Sequence, residues 1–428
     1  MTPQSNFMVV APILPGREDD LRDVLAAMNL SPGVANPANA IFPFARFETL
    51  HVARFVILTD ETLADRPPAD RFDDAPVYLA FLGDSDGDAD QLLQRFAETA
   101  GEGLRRVFSH CAGFDAKTNL LPWVRAHSVT PAAQYVNWVG RTVSRIREEA
   151  ALHSALRGYL ARLESANGGE TPARIRDRLV RLWQHEGPKL SAEAPTPPAW
   201  RIRRLANFIG VSIAILLLIP VIVIGAPFFL WALRRRELTD PVIVPRPTED
   251  HIKALSSIED RAVTNQFSAF GNVKPGRFRL WTLLVIFQLL DFSTRQFFTR
   301  GRLARVGTIH FARWVFLDDK RRLFFASNYD GSLDSYMDDF INKVAFGLNL
   351  VFSNGIGFPS TNFLLFGGAQ RELEFKYYLR RHQIPTQVWY KAYPELTAAD
   401  LARNSMIRAG LEDRLTTDAE ARQWLALI

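Results

Sequence analysis

Histidine and arginine recur at the same spacing in two apolar segments of the 428-residue chain. His51 and Arg54 lie in LHVARFVIL, and His310 and Arg313 lie in IHFARWVFL. Because the remaining side chains of both segments are apolar, we expect at least some of these polar groups to be buried, where a charge needs a partner. One histidine or arginine of each segment could then meet an anionic head group or the carboxylate of a cofactor, since an arginine fork suits a carboxylate.

A structural role for the same residues is the alternative. Neighbouring residues of a strand point to opposite faces, so a histidine and an arginine three positions apart cannot both line one pocket without a bulge. Each arginine would then pair with an acid such as Asp86 or Asp330, which lie in repeated Asp-Gly turns. Both aspartates precede a long predicted helix, so they are also expected to cap its first amides.

Most familiar enzyme signatures are absent from the sequence. It contains no glycine-rich phosphate loop, no HExxH motif and no nucleophile elbow. Its single cysteine rules out an internal disulfide and any cluster of cysteine ligands. With 47% hydrophobic and 11% aromatic residues, the chain can bury a sizeable core, which excludes a disordered protein. Composition alone names no reaction.

The elements that carry these residues occur twice. Four pairs of segments match in the same order: residues 7–17 with 267–277, 50–58 with 309–317, 83–96 with 327–340, and 103–114 with 347–358. The offset is 260, then 259, then 244 for the last two pairs, and one deletion of 15 residues, in the loop after the second strand, explains the step from 259 to 244. This register indicates an internal duplication.

Each copy is predicted to run β-α-β-β-α-β, with a last strand at VFS in residues 107–109 and 351–353. The predicted fold class is α+β, with two tandem ferredoxin-like repeats packed sheet against sheet as a pseudo-dimer. In the alternative, each unit pairs with its counterpart in another chain. The predicted boundaries are 1–125 for repeat 1, 126–262 for a helical insertion with a proline-rich linker and a membrane segment, 263–370 for repeat 2, and 371–428 for a C-terminal helical extension.

The membrane segment is residues 205–233, in which only Asn207 and Ser212 are polar. Its 29 residues exceed the roughly 20 needed to cross a bilayer. Arginine groups flank it on both sides, so we expect part of the net charge of +5 to serve a lipid surface, and we expect no nucleic-acid partner. The N-terminus does not resemble a secretory signal, which places the soluble repeats on the cytoplasmic side.

Hydropathy favours a single span for this segment, whereas sheet-against-sheet packing favours a re-entrant hairpin. If the two copies face each other, both lie on one side of the bilayer. Pro220 would then divide the segment into arms of 15 and 13 residues, each about 20 Å long. Equal basic flanks agree with this arrangement, because both ends would meet the same anionic surface. The first helix of the second copy, apolar over most of residues 280–290, would lie in the interface or in the core.

Two ferredoxin-like units, with the entry APILPGREDDL into the first helix at residues 11–21, resemble the dimeric α+β barrel superfamily. That superfamily includes chlorite dismutases, dye-decolourising peroxidases and small monooxygenases, and the resemblance covers roughly residues 1–125 and 263–370. Residues 83–87, GDSDG, fit the GxxDG pattern of dye-decolourising peroxidases, whose aspartate serves beside the haem. The resemblance implies a haem, with Asp86, Arg54 and Arg313 as catalytic residues. It makes His310, His382 and His51 the candidates for binding the cofactor.

Together these features predict a membrane-associated oxidoreductase, peroxidase-like or monooxygenase-like, that acts on an apolar or lipid-like substrate in a cavity between the repeats. A cavity beside a membrane gives such molecules a short path in. The expected partners are the lipid bilayer and an apolar small molecule. The alternative is a non-catalytic lipid-binding or membrane scaffold protein, in which the histidines and arginines are satisfied core groups.

Overall fold

A computed structural model describes residues 1–68, 75–164, 170–413 and 417–428. These residues form 13 α-helices, two four-stranded antiparallel sheets and two short hairpins, which confirms the α+β class predicted from the sequence. The strands are β1 (Gln4–Pro12), β2 (Asn29–Ser31), β3 (Val34–Ala35), β4 (Leu50–Leu58), β5 (Tyr78–Asp86), β6 (Ala133–Val136), β7 (Thr264–Asn272), β8 (Ile309–Leu317), β9 (Arg322–Asp330), β10 (Thr361–Asn362), β11 (Phe366–Gly367) and β12 (Thr386–Lys391). The helices are α1 (Glu18–Ala26), α2 (Ala89–Thr99), α3 (Gly101–Phe108), α4 (Leu120–Ala126), α5 (Val143–Glu164), α6 (Pro172–Glu186), α7 (Pro198–Glu237), α8 (Glu249–Ser256), α9 (Arg277–Gln296), α10 (Leu333–Phe352), α11 (Glu372–His382), α12 (Ala398–Glu412) and α13 (Asp418–Leu425).

The two large sheets have matching strand orders. The first sheet runs β1-β5-β4-β12, and the second runs β7-β9-β8-β6. All nine residues of β4 are buried, because one face packs against helices and the other faces the second sheet. Strands buried on both faces are apolar throughout rather than alternating, which is why their sequences are continuous hydrophobic runs.

Each sheet receives its fourth strand from the other half of the chain. Before β6, Val129 donates its amide to Met8 on the outer edge of the first sheet, and the chain then pairs with β8 of the second sheet. Before β12, Ile384 donates its amide to Ser268 at the edge of the second sheet, and the chain then pairs with β4 of the first. The crossing segments therefore cover edges that would otherwise expose unpaired amides and carbonyls.

The last strand predicted at VFS is wrong in both copies. Residues 107–108 end α3, and residues 351–352 end α10. Leu104, Val107 and Phe108 are all buried, so the run is the apolar stripe of a helix and not a strand. Each of these helices is followed by an isolated bridge to the strand that would have been its neighbour, Cys111 with Ile13 and Gly355 with Val273.

A hydrophobic cluster fills the space between the sheets. Its members come from both sheets and from the crossing segment before β12: Met8, Val10, Val56, Leu58, Ala80, Leu82, Phe270, Val315, Leu317, Phe324, Ala326 and Ile384. A small cavity of about 10 Å³ remains beside Arg54, Arg313 and Asp84. We expected a substrate cavity between the repeats. Among the described residues, close-packed side chains and these buried charges fill that space instead.

The predicted membrane segment lies within one continuous helix. α7 runs for 40 residues straight through Pro220 and Pro227, so the re-entrant hairpin is wrong. Proline already has a helical φ, and no glycine, asparagine or aspartate stands next to Pro220 to form a reversal. Among the described residues, α7 is the one helix long and apolar enough to cross a membrane, and none of its most apolar window is buried.

Both ends of α7 contact the same part of the molecule. Near its start, Phe208 stacks on Phe292 of α9, and further along Phe229 stacks on Phe278 at the other end of α9. At its end, the buried Glu237 accepts hydrogen bonds from the β10 loop, including one of 2.8 Å from the Thr361 hydroxyl. α7 and α9 are therefore antiparallel neighbours.

Candidate functional site

The two predicted histidines each bind an aspartate at the end of the space between the sheets. His51 Nε2 lies 2.9 Å from Asp86 Oδ1, and His310 Nε2 lies 2.7 Å from Asp330 Oδ1. All four side chains are buried. The expectation that each arginine would pair with Asp86 or Asp330 is wrong, because the histidines occupy both carboxylates.

The other oxygen of each aspartate caps a helix that is distant in sequence. Asp86 Oδ2 accepts the amide of Val143 at the start of α5 (2.9 Å), and Asp330 Oδ2 accepts the amide of Ala398 at the start of α12 (2.7 Å). Helix starts have free amides that an aspartate oxygen satisfies. The sequence predicted caps, but for the helices that follow directly, which Asp88 and Ser332 cap instead.

The two predicted arginines reach across to the opposite sheet. Arg54 donates to the carbonyl oxygens of Phe267 (2.8 Å) and Ser327 (2.7 Å) in the second sheet. Arg313 donates to the carbonyl oxygens of Phe7 (2.8 Å) and Gly83 (3.0 Å) in the first sheet. These acceptors are equivalent positions at offsets of 260 and 244, so the two arginines make the same bonds in opposite directions.

One carboxylate joins this arginine pair. Arg313 also binds Asp84, whereas the equivalent position in the second half is Asn328, which accepts the amide of Phe311. Burial and the neighbouring Arg313 lower the pKa of Arg54 to about 9, and burial raises the pKa of Asp84 even though Arg313 opposes this. Each of these groups has bonded partners, and the bonds of both arginines join the two sheets.

A bulge explains why histidine and arginine share one face. The register of β4 shifts between Leu50 and Val52, and that of β8 shifts between Ile309 and Ala312. The extra residue of the bulge in β4 is His51 itself, and this lets its side chain point into the space between the sheets as Arg54 does. The same holds for the equivalent pair in β8.

Lys391 adds a third buried charge beside His310 and Asp330. Its Nζ donates to the Thr264 hydroxyl and to the carbonyl oxygen of Leu396. Burial lowers the pKa of Lys391 to about 7, and burial together with Lys391 lowers the pKa of His310. Burial opposes ionisation of Asp330, but His310 and Lys391 outweigh it and hold its pKa below the usual range. Sequence reasoning missed Lys391, which no motif marks.

His382 lies apart from the other predicted residues. It sits at the end of α11 on the outer face of the second sheet, where Nδ1 is 2.8 Å from the carbonyl oxygen of Tyr378 and the ring packs on Tyr378. Gly271 lies so close that a methyl group there would contact the imidazole. The structure thus brings five of the six predicted site residues together and leaves this one elsewhere.

The histidines proposed as haem ligands do not fit a haem in this arrangement. Both ring nitrogens of His51 have partners, in Asp86 and the Tyr393 hydroxyl, and Nε2 of His310 is held by Asp330. An axial ligand needs a free ring nitrogen facing room for a porphyrin. The cavity beside His51 and His310 measures about 20 Å³ and the one beside His382 about 30 Å³. Among the described residues, no three His, Cys, Asp or Glu side chains form a group that could hold a metal ion.

A large apolar cavity of about 360 Å³ lies on the outer face of the second sheet. Phe267, Trp314 and Phe325 of the sheet form its floor, and α9, α10 and α11 form its walls. Its wall in α10 contains a break at Val344, where φ is −144° and ψ is 28°. Cavities of 300–1,000 Å³ with apolar walls are typical binding sites for small molecules. Sequence reasoning missed this site, although the apolar run at residues 280–290 forms part of it.

The mouth of this cavity faces an exposed apolar surface. Leu289 and Phe346 line the cavity and are 46% and 53% exposed, respectively. On the same helix, α9, Trp281 and Val285 are exposed as well. α7 packs along α9, so the helix that lines one side of the cavity also contacts the long apolar helix, although no residue of α7 lines the cavity itself. Exposed apolar surface of this extent marks a protein or membrane contact.

Comparison of the chain with protein-family models, with curated proteins and with solved structures finds no match. The function therefore has to be argued from the cavity and the surface around it. Neither depends on the predicted catalytic residues.

Proposed function

We propose that this protein is a membrane-bound, non-catalytic protein that holds an apolar, lipid-like molecule in the cavity above the second sheet. The observation that carries the proposal is that cavity, about 360 Å³ of apolar space lined in part by α9, the helix along which α7 packs. A molecule leaving the bilayer beside these helices would enter the cavity without crossing water, which avoids the cost of exposing its hydrocarbon.

The cavity also offers a polar anchor. The indole nitrogen of Trp314 is buried, and no partner for it is found among the described residues. A buried N–H without an acceptor costs about 1–3 kcal/mol, which a ligand oxygen would recover. The ligand we propose therefore combines a hydrocarbon chain with an ester, carboxyl or hydroxyl oxygen.

α7 would hold the protein in one leaflet and not cross the bilayer. Its two contacts with α9 lie 21 residues apart in α7 and 14 apart in α9, or about 32 Å and 21 Å along the two helices. Because both ends of α7 contact the same part of the protein, the arginine groups on its two sides would meet the same membrane surface. Residues 205–233 of α7 are apolar on all sides, so this stretch would lie in the hydrocarbon below the lipid head groups. α9 would lie nearer to the membrane surface.

The fold itself would be a duplication closed into one barrel. The matching strand orders, the reciprocal β6 and β12 and the equivalent bonds of Arg54 and Arg313 support two ferredoxin-like copies packed as a pseudo-dimer. The amides that Asp86 and Asp330 cap, of Val143 and Ala398, lie at a further offset of 255. The copies therefore extend past residues 125 and 370, into the regions predicted as insertion and C-terminal extension.

The oxidoreductase remains a sequence-based prediction. Its proposed catalytic residue Asp86 holds His51 and the start of α5, and Arg54 and Arg313 hold the two sheets. None of the three lines the large cavity. The geometry therefore favours binding over oxidation.

Filling the cavity tests the binding proposal. Gly347 lines it, and a methyl group added there meets nothing within 4 Å. Gly347→Leu is expected to lower ligand affinity on the order of 10²-fold, because four side-chain carbons displace about four ligand methylenes at ~0.8 kcal/mol each. The measurement is cross-linking in native membranes with a low concentration of a diazirine-bearing fatty acid, followed by peptide mapping of α10.

The cross-linking experiment contains its own controls. Lipid-facing peptides of α7 should be labelled equally in wild type and Gly347→Leu. Gly158→Leu, an exposed helical glycine in α5 with free space around it, makes the same chemical change away from the cavity and should leave α10 labelling unchanged. Equal labelling of α10 in wild type and Gly347→Leu would contradict the proposal.

Cysteine labelling tests on which side the ends of α7 lie. Arg203→Cys and Arg236→Cys place thiols at exposed positions before and after the apolar stretch. We expect a membrane-impermeant maleimide to label both from the same side, and only after cytoplasmic access is given. The native Cys111 should not interfere, because it is fully buried and burial raises its pKa to about 12. Labelling of the two positions from opposite sides would establish a crossing and contradict the one-leaflet arrangement.

A further inference from the structure

A second, smaller cavity at the end of the inter-sheet space contains a charged group without a partner. The cavity holds about 20 Å³ and is lined by Gln4 and His51 from the first sheet, His310 from the second, and Trp138, Arg141 and Tyr393. Arg141 is 3% exposed, and none of its three guanidinium nitrogens has a hydrogen-bond partner within the described residues. Its guanidinium carbon stands 3.9 Å from the centre of the Trp138 ring.

Three side-chain acceptors near Arg141 already have other partners. Gln4 Oε1 accepts the amide of Gly140, and the Tyr393 hydroxyl is bound to His51. Glu149, the nearest acid to influence Arg141, accepts from Arg145 (2.7 Å) and from the Ser405 hydroxyl (2.6 Å). No aspartate or glutamate is among the described residues that line the cavity.

A buried guanidinium without hydrogen-bond partners lowers the stability of the fold unless a ligand in the cavity accepts its hydrogen bonds. Burial lowers the pKa of Arg141 to about 10, so the group stays charged at neutral pH. A charge buried without compensation destabilises a fold by several kcal/mol. Trp138 covers one face of the guanidinium, and both residues line the cavity.

The duplication supplies an independent observation. The position equivalent to Arg141, at the offset of 255 that relates α5 to α12, is Leu396. Because the second copy has a leucine at the equivalent position, the fold that the two copies share does not require an arginine there. The charge therefore serves something that only one copy holds.

We propose that this cavity binds one small inorganic anion of halide size, which is chloride under cellular conditions. A single water needs at least roughly 10–15 Å³, so about 20 Å³ admits one monatomic ion but not a carboxylate or a phosphate. The ion accepts from the Arg141 N–H groups and neutralises their charge. Because both sheets line the cavity, the bound ion ties them together at the start of α5.

The test is ³⁵Cl NMR of the full-length protein in detergent micelles. Exchange with a protein site broadens the chloride signal, and added bromide should reverse the broadening by competition. We expect broadening with wild type and at least a tenfold loss of it with Arg141→Met. Arg408→Met is the matched control, because Arg408 is also buried but all three of its guanidinium nitrogens have partners, so broadening should persist.

Crystals grown in bromide give a test that needs no variant. An anomalous peak in the cavity beside Arg141 supports the proposal. The absence of a peak together with no excess broadening in wild type means that the cavity holds only water, which overturns the proposal. Broadening of the same size in Arg141→Met also overturns it. If Arg141→Met does not fold, Arg141→Lys is the alternative variant. It keeps the positive charge but loses the planar set of guanidinium donors, so it should bind chloride at least tenfold more weakly than wild type.

Discussion

Replacing Arg313 with methionine is expected to destabilise the fold by about 3–5 kcal/mol, because breaking a buried ion pair leaves one charge without its partner. The orphaned groups are the carboxylate of Asp84 and the carbonyl oxygens of Phe7 and Gly83. The measurement is the free energy of unfolding by denaturant in a fixed detergent. Arg313 has no contact with the large cavity, so binding of a fatty-acid probe by the folded fraction should be unchanged.

The loss should also depend on pH. Burial already raises the pKa of Asp84, and removing Arg313 raises it further. The folded variant then keeps a proton that the unfolded chain releases above about pH 4, so its stability falls as pH rises toward the folded pKa. The deficit against wild type is therefore expected to be larger near about pH 8 than near about pH 5.

Two further variants separate the ion pair from ordinary packing. Arg54→Met removes the equivalent bonds to Phe267 and Ser327 but leaves no carboxylate unpaired, so a smaller cost of about 1–3 kcal/mol is expected. Adding Asp84→Asn to Arg313→Met should recover at least about 1–2 kcal/mol, since the second copy already holds an asparagine, Asn328, at that place. If Arg54→Met and Arg313→Met cost the same and Asp84→Asn rescues nothing, the charge pair does not stabilise the molecule.

Local sequence pattern was enough to find the central strands. All six are largely apolar runs: β1 and β7 are followed by Pro-Gly, β5 and β9 end at Asp-Gly, and β4 and β8 repeat the histidine-arginine spacing. The duplication fixes their order in both halves. The outer strands β6 and β12 were missed, because they are short and their pairing is with the opposite half of the chain. A strand whose partner lies far away in sequence leaves no local signal.

The buried groups show where reasoning from spacing fails. Strand alternation put His51 and Arg54 on opposite faces, and one bulged residue reversed that result. Asp86 was predicted to cap the helix that directly follows it, which is wrong: Asp88 caps that helix, and Asp86 caps the one that begins at Val143. No property of either segment reveals that contact. The VFS segments have β-branched and aromatic residues, yet the buried stripe around them has helical spacing, and tertiary packing overrode strand propensity.

The cavities could not be found from sequence at all. The large one depends on how α9, α10 and α11 pack over the second sheet and on the break at Val344. The small one depends on Arg141, a single arginine outside any motif. Both are spaces between elements, whereas sequence patterns describe the elements themselves. The apolar stretch within α7 is the opposite case, since length and hydropathy alone identified it.

Two charges in the middle of α7 are expected to release the protein from the membrane. Leu217 and Ile224 are 72% and 71% exposed, so neither is needed for packing against the rest of the chain. An aspartate at the centre of a membrane helix costs roughly 2.5–3.5 kcal/mol, so Leu217→Asp with Ile224→Asp should lower the membrane-bound to soluble ratio by more than about 10³-fold. The measurement is the fraction of protein that stays with the membranes after alkaline carbonate washing.

Three controls decide what a release would mean. The double variant Leu217→Ala with Ile224→Ala keeps the helix apolar and should stay membrane-bound. The variant Leu30→Asp changes a similarly exposed leucine in β2, far from α7 in sequence, and should also stay membrane-bound. Far-UV circular dichroism of the aspartate variant should match that of wild type, because α7 touches the body mainly through its ends. If the aspartate variant remains in the membrane pellet with its fold intact, α7 is not the membrane anchor. The apolar surface around the large cavity would then have to be covered by another protein, and the path we propose for the ligand would be lost.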